Sequence, residues 1–421
     1  MDQVSSSGRG RLHYGWVVLV FSTLSVFGAL GLGRFSYTMI LPAMQEGLLL
    51  SNSQAGVLAS FNLTGYLVCA MLGGAMASRF GPRVVVAAGL AVVGVGMCLT
   101  GASSSFAAAA VWRTVTGLGS GAAYVGTMGV LSSWFAKSRR GFATGTAVAG
   151  SSLAMVCVGP TVPLILAAGQ EMGWRLCWLV YGGAVVLLAG LGFLFLRNHP
   201  CDVGIPPVEE NGAQGVCPPA RESPEWGRVY GNLLVWALGI VYACYGLSYI
   251  IYFTFFTKHL VAEAGWSVRQ AGNLFTLMGW TSIFCGLLWG SVSDRIGRRA
   301  ALAIVFLIQA VSFGLFGVGH SPVALVASAL LFGITAWGIP AVVAAASGDI
   351  LGPLLAPAGF GFLTFLFGLG QAAGPWVAGV LADATGSFLA AFLLASGTAL
   401  AGACGILWVG RVSRRLGQRL T

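Results

Sequence analysis

Charge is what this chain of 421 residues has least of. Asp, Glu, Lys and Arg together make up 8% of it, against about 25% in a soluble domain. That is too little to coat a water-facing surface of this size. Acids are scarcest. All twelve can be placed, at Asp2, Glu46, Glu171, Asp202, Glu209, Glu210, Glu222, Glu225, Glu263, Asp294, Asp349 and Asp383, and none stands at the midpoint of an apolar run. A carrier of cations would want a carboxylate there to neutralise its cargo. The four histidines (13, 199, 259 and 320) sit at ends of runs or between them. No nucleophile–base pair falls inside a run, which argues against an enzyme. The nine cysteines show no CxxC or Cys/His ligand spacing, so they read as small packing residues, and no metal or cofactor is expected. No Walker loop is present, which excludes ATP as the energy source. No small-residue cleavage site follows the first apolar run, so it reads as a retained span rather than a signal peptide. The net charge of +10 is scattered in short clusters, so nucleic acid is not an expected partner.

What remains is apolar. Hydrophobic residues are 57% of the chain and the mean hydropathy is +0.85. Apolar runs lie at about 14–42, 53–77, 84–102, 105–134, 141–168 and 174–197. After a polar, proline-rich stretch, six more lie at about 230–257, 268–292, 299–319, 322–347, 354–381 and 387–410. Each is long enough to cross a hydrocarbon layer of about 30 Å, and the 63 glycines favour close helix contact in lipid. The expected fold is an all-α membrane protein of twelve transmembrane helices in two pseudo-symmetric six-helix bundles. The expected divisions are an N-terminus at 1–13, a first bundle at 14–197, a linker at 198–229, a second bundle at 230–410 and a tail at 411–421. Of the 22 Lys and Arg, seventeen fall in the termini, the linker and the loops on their side. Three (Arg175, Lys258 and Arg269) fall on the other side. That bias places both termini and the linker in the cytoplasm. The expected setting is a bacterial inner membrane, with lipid around a monomer.

A hairpin repeats half a chain apart. Gly290–Arg299 reads GSVSDRIGRR between two runs, and Gly74–Arg83 reads GAMASRFGPR, with Ser78 where the later copy has Asp294. Such pairing indicates internal duplication. Together with Arg113–Gly121 (RTVTGLGSG), Gly173-Trp174-Arg175 and the Gly374-Pro375 and Gly379 pattern of Gly370–Asp383, the paired hairpins resemble the major facilitator superfamily over essentially the whole chain. Gly33–Pro42 (GRFSYTMILP), Phe61–Leu67 (FNLTGYL) and Tyr249–Thr257 (YIIYFTFFT) resemble its YbfB/YjiJ group of bacterial permeases. Arg197–Gly204 (RNHPCDVG) is similar to the end of the sixth helix in several carboxylate-carrying branches. The resemblance implies alternating access about a mid-membrane site. It also implies a latch in the hairpins, formed by Asp294, Arg295, Arg298 and Arg299 and, more weakly, by Arg79 and Arg83.

Two cations, Arg34 and Arg113, fall inside predicted spans. A guanidinium in hydrocarbon costs about 2.5–3.5 kcal/mol or more, so each should face a polar cavity or a partner. Arg34 reads as a substrate or coupling contact, with bonding to helix carbonyls or snorkelling as the architectural alternative. For Arg113 the resemblance implies a role in proton coupling or in bracing the helices. Tyr242, Tyr245, Tyr249 and Tyr252, at spacings of three and four, share one helical face, and Tyr245 and Tyr249 lie nearest its centre. Asn273, Thr276 and Trp280 form another one-sided stripe. Asn62, Tyr66, Tyr124 and Gln371 complete the candidate substrate set, with interhelical hydrogen bonding as the plainer role for each. Pro160, Pro163, Pro340 and Pro375 are expected to bend their helices.

A membrane interior with net positive charge suits a small organic anion, so the expected function is secondary transport of a carboxylate-bearing solute. Whether protons accompany it is open, and a weak acid could carry its own. Efflux of amphipathic drugs is the alternative, which an aromatic cavity would tolerate.

Overall fold

The computed structural model describes residues 13–136, 139–205, 208, 226–319 and 321–415. Most of the expected N-terminus and linker, and the end of the tail, lie outside them. The described chain is helical almost throughout, with one isolated bridge, Phe135 to Val208.

Among the described residues, twelve long helices thread the molecule. They are α1 (Tyr14–Gly47), α2 (Asn52–Phe80), α3 (Pro82–Ala102), α4 (Phe106–Trp134), α5 (Arg140–Gly169), α6 (Gly173–Phe195) and α7 (Leu233–Ala262). Then follow α8 (Val268–Ser282 and Cys285–Ile296, bent by 41°), α9 (Arg298–Val318), α10 (Pro322–Gly352), α11 (Ala358–Thr385) and α12 (Leu389–Arg415). Among the described residues, nine spans are by length and composition apolar enough to cross a membrane, or ten with the bent pair. One of the nine, Arg140–Phe195, contains both α5 and α6, and α4 is long enough but carries many Gly, Ser and Thr.

Local chemistry sets the boundaries. Ser51 with Gln54, and Ser267 with Gln270, form reciprocal capping boxes that start α2 and α8, each satisfying two orphan groups. Ser105 and Ser321 cap α4 and α10. The duplicated hairpins turn alike: Gly81 has φ 82° and Gly297 has φ 89°, a region that favours glycine. Gly352, at φ 72°, separates α10 from α11. The proline expectation holds less well. Pro160 and Pro163 lie within the continuous α5, and Pro340 stands in the first turn after a break at 334–337. There a missing N–H costs nothing.

Small residues govern the packing. Side chains built on Gly117 and Gly121 of α4 would strike the Asn62 and Tyr66 carbonyls of α2, and one on Gly119 would strike Gly89 of α3. Helix α4 is thus wedged against two backbones at once. Between the halves, Gly159 of α5 meets Gly272 of α8, and Gly56 of α2 meets Pro375 of α11.

The contacts that join the halves gather toward one end. Calling the end where α1 begins proximal, the crossing hydrogen bonds lie in the central and distal parts. Thr38 Oγ1 donates to the Phe253 carbonyl at 3.0 Å and Thr257 Oγ1 to Met39 Sδ at 3.1 Å. Ser282 Oγ and Trp337 Nε1 both donate to Ser152 Oγ, at 2.8 and 2.9 Å. Most distal is Asp383 of α11, which accepts from the Asn52 and Ser53 backbone N–H groups at 2.9 and 2.8 Å and from the Ser53 hydroxyl. Toward the proximal end of α2, Met71 and Leu72 are exposed.

Candidate substrate site

The site begins with a fault in α1. Its middle, Phe27–Phe35, is wound as a π-helix, a wider turn found frequently at functional positions. Gly28, Gly31 and Gly33 make this winding approachable, and a side chain on Gly31 would collide with Ala154 of α5. Side chains of α4 take up carbonyls of this turn. Ser120 Oγ donates to Ala29 at 2.8 Å and Arg113 Nη1 to Gly33 at 2.9 Å.

Arg34 rides on this turn. It is 9% exposed, and its Nε and Nη2 are buried without a hydrogen-bond partner. Its guanidinium lies 5.2 Å from the Tyr66 ring and 5.7 Å from that of Phe35, contacts that offset part of its desolvation. Arg113 is deeper still, 1% exposed, over the rings of Tyr37 at 4.7 Å and Trp178 at 5.2 Å. Its Nε also lacks a partner. The two guanidiniums are close enough to repel. The ion pairs given by the described residues involve Glu263, Asp294 and Asp349, all at helix ends, and none involves Arg34 or Arg113. A buried positive pair without a counter-charge is costly. An anion brought to it would be bound by charge-assisted hydrogen bonds.

Between the two arginines, Tyr37, Thr38, Asn62 and Phe253 close a cavity with about 10 Å³ for a water centre. That suits one water rather than an organic solute. Distally, Phe35 packs on Phe253 at 4.6 Å and on Trp337 at 5.6 Å, an aromatic plug drawn from α1, α7 and α10.

Most of the predicted substrate residues converge there. Arg34 exerts its charge on Tyr66, Tyr124, Tyr245 and Tyr249. Tyr66 and Tyr124 pair at 6.3 Å, and the Gln371 amide is hydrogen bonded to the Tyr249 hydroxyl. Asn62 adds a structural bond, donating from Nδ2 to the Arg113 carbonyl at 3.0 Å. Asn273 and Trp280 are not brought in. Both are exposed on the outer face of α8, in a stripe with Leu277 and Phe284, because the buried face of that helix is spent on Gly272 and Gly279 against α5. The tyrosine stripe also splits. Tyr242, Tyr245 and Tyr249 stack on Phe367, whereas Tyr252 turns among Phe313, Phe316 and Phe332 and hydrogen bonds with Ser328.

The hairpin residues act within their own halves. Arg298 pairs with Asp294, with Asp349 Oδ2 at 3.1 Å and with Ser293 Oγ at 2.6 Å. Arg299 lies against Gly410 of α12, and Arg295 is exposed. Arg83 Nε donates to the Phe193 carbonyl at 2.7 Å, and the exposed Arg79 covers Phe80. Sequence reasoning missed Tyr37, Ser120, Trp178 and Trp337. Tyr37 and Ser120 were within reach of it, three residues beyond Arg34 and seven beyond Arg113 on the same helix faces.

The sequence profile of the family described as "Uncharacterised MFS-type transporter YbfB" matches residues 26–407. The chain belongs to this family of MFS-type transporters. The MFS-type assignment agrees with relatives that match most of the chain. A probable sulfoacetate transporter of Cupriavidus necator, SauU, is 26% identical, with 89% of each chain covered. The hexuronate transporter of Bacillus subtilis is 24% identical, with 88% of each covered. The MFS fold is also that of a solved bacterial homologue of the human lysosomal transporter Spinster in an inward-facing, unoccupied conformation. That structure has a TM-score of 0.73 at 16% identity and covers 98% of this chain and 100% of its own.

Proposed function

We propose that this MFS-type protein is a secondary transporter of a small organic anion, with Arg34 as its principal contact and Arg113 supporting it from behind. The observation that carries this reading is the pair of buried guanidiniums with unpartnered nitrogens and no carboxylate beside them. The relatives, one a probable sulfoacetate and the other a hexuronate transporter, support an anionic cargo. With the basic loops in the cytoplasm of a bacterial inner membrane, the distal face is periplasmic, and the hydrogen bonds that join the halves gather toward that side. Alternating access would rock the halves about the Arg34 level. No acid side chain lines the site among the described residues, so a co-transported proton would travel with a weak-acid substrate.

The test is uptake of labelled carboxylates and sulfonates into proteoliposomes, with and without an inward proton gradient, for wild type and Arg34→Gln. A lost charge-assisted bond is worth about 1.5–3 kcal/mol. The half-saturation concentration should therefore rise about 10- to 100-fold in the variant. Flux unaffected by the substitution, or movement of lipophilic cations instead of anions, would favour drug efflux and end this reading.

A further inference from the structure

Anion binding leaves one group of the site unexplained. Gln371 of α11 is 1% exposed, and its Oε1 is buried with no hydrogen-bond partner, while the other end of the amide is held on the Tyr249 hydroxyl. Buried side-chain amides are ordinarily satisfied at both ends, and an orphaned end costs about 1–3 kcal/mol. The backbone around it is fixed. Gly370 of α11 packs on the Ala243 carbonyl of α7, and Gly246 of α7 packs on the Phe367 carbonyl, so the backbones that carry the amide and the Tyr249 hydroxyl are held together. Tyr249 in turn lies within the field of Arg34. One half of the molecule thus offers unpartnered cationic donors on Arg34, which lies against Tyr66 and through it Tyr124, and the other an unpartnered amide held on Tyr249, a residue within the field of the same arginine.

Resting on the anion-carrier reading, we infer that the transported anion carries a hydroxyl group, which the free end of the Gln371 amide recognises: the substrates are hydroxy- or polyhydroxycarboxylates rather than alkyl acids. The two ends of an amide are told apart by their bonding. Here that does not affect the conclusion, because a hydroxyl donates to Oε1 in one orientation and accepts from Nε2 in the other. An alkyl chain does neither and leaves the orphan in place. An ammonium would also donate to Oε1, but it would stand in the field of Arg34 with no carboxylate to balance it, so amino acids are disfavoured. A site built to bond a substrate hydroxyl rejects the analogue that lacks one.

The experiment uses the full chain in proteoliposomes and chain-matched pairs: glycolate with acetate, lactate with propionate, gluconate with hexanoate. For at least one pair, the hydroxy acid should saturate or compete at a concentration about 10- to 100-fold lower than its partner. In Gln371→Met, which keeps the length of the side chain and removes both amide ends, the ratio within that pair should fall to near 1. Melting temperature and monodispersity of the variant establish that it is folded. Equal behaviour within every pair in wild type, or an unchanged ratio in a folded Gln371→Met, overturns the hydroxyl assignment while leaving the anion carrier standing. Insensitivity of all acids to Arg34→Gln overturns both.

Discussion

At the scale of single residues, the proposed chemistry turns on buried polar atoms of Arg34, Arg113 and Gln371 that lack a partner. Arg34 and Arg113 stood out in the sequence because they interrupt apolar runs, and the cost of burying a guanidinium made them informative. Gln371 and Tyr249 were legible as polar residues in spans. That they bond to one another was not, because the two positions are 122 residues apart. Asn273 and Trp280 were misplaced for a general reason: a one-sided polar stripe reveals a face, not what the face meets. A distal cluster shows the same limit. His259, buried near the end of α7, has ring nitrogens 2.9 Å from Glu263 Oε2 and 3.0 Å from the Phe316 carbonyl. Glu263, just past the helix, also accepts from the Phe388 N–H at 2.7 Å and the Ser387 hydroxyl at 3.2 Å. Burial pushes the Glu263 carboxyl up, but these bonds and the His259 charge outweigh it and hold the group below its usual range. A depressed carboxyl stabilises the fold above its unfolded value, about 4.3, and that contribution is lost as pH falls through the folded value. Glu263→Gln should therefore melt below wild type at pH 7, and the gap should close as pH is lowered beneath about 4. A gap that persists into acid would mean the carboxylate charge is irrelevant.

At the scale of elements, the twelve helices were readable because lipid demands long apolar runs and satisfied backbones. The π-wound centre of α1 was not, since its sequence, rich in glycine, is equally compatible with an ordinary helix. The glycine spacing of α4 carried more than a family resemblance. Alternate glycines face two different neighbours, and the resulting wedge sets Arg113 beneath α1. Gly117→Ala should therefore lower the melting temperature, with overpacking of about 1–3 kcal/mol, and weaken anion uptake. Gly183→Ala on α6, where an added methyl meets nothing within 4 Å, should be close to silent. Equal melting curves would show that the wedge tolerates a methyl group.

At the scale of the whole molecule, the halves are held by a few polar bonds over a backbone seam. The most distal of these is Asp383 across the first turn of α2, where a carboxylate also complements the helix dipole. Asp383 was visible in sequence only as an acid near a helix end, and its partners, about 330 positions away, were not. Asp383→Ala removes all three bonds. A net change of about 1.4 kcal/mol shifts a two-state ratio about tenfold. Spin labels at the exposed positions 49 and 384, in a cysteine-depleted background, should then show a growing long-distance population. A distribution unchanged from wild type would assign the seal to the aromatic plug and the glycine seam instead.

That seam bears on speed. Where Gly159 meets Gly272, and Gly56 meets Pro375, there are few rotamers to sort and little side-chain entropy to lose on contact. Two such surfaces part and rejoin without searching for a fit. The delay in each cycle then rests with the handful of polar stitches, and the turnover of the carrier can be retuned by altering those few bonds while the fold around them stays as it is.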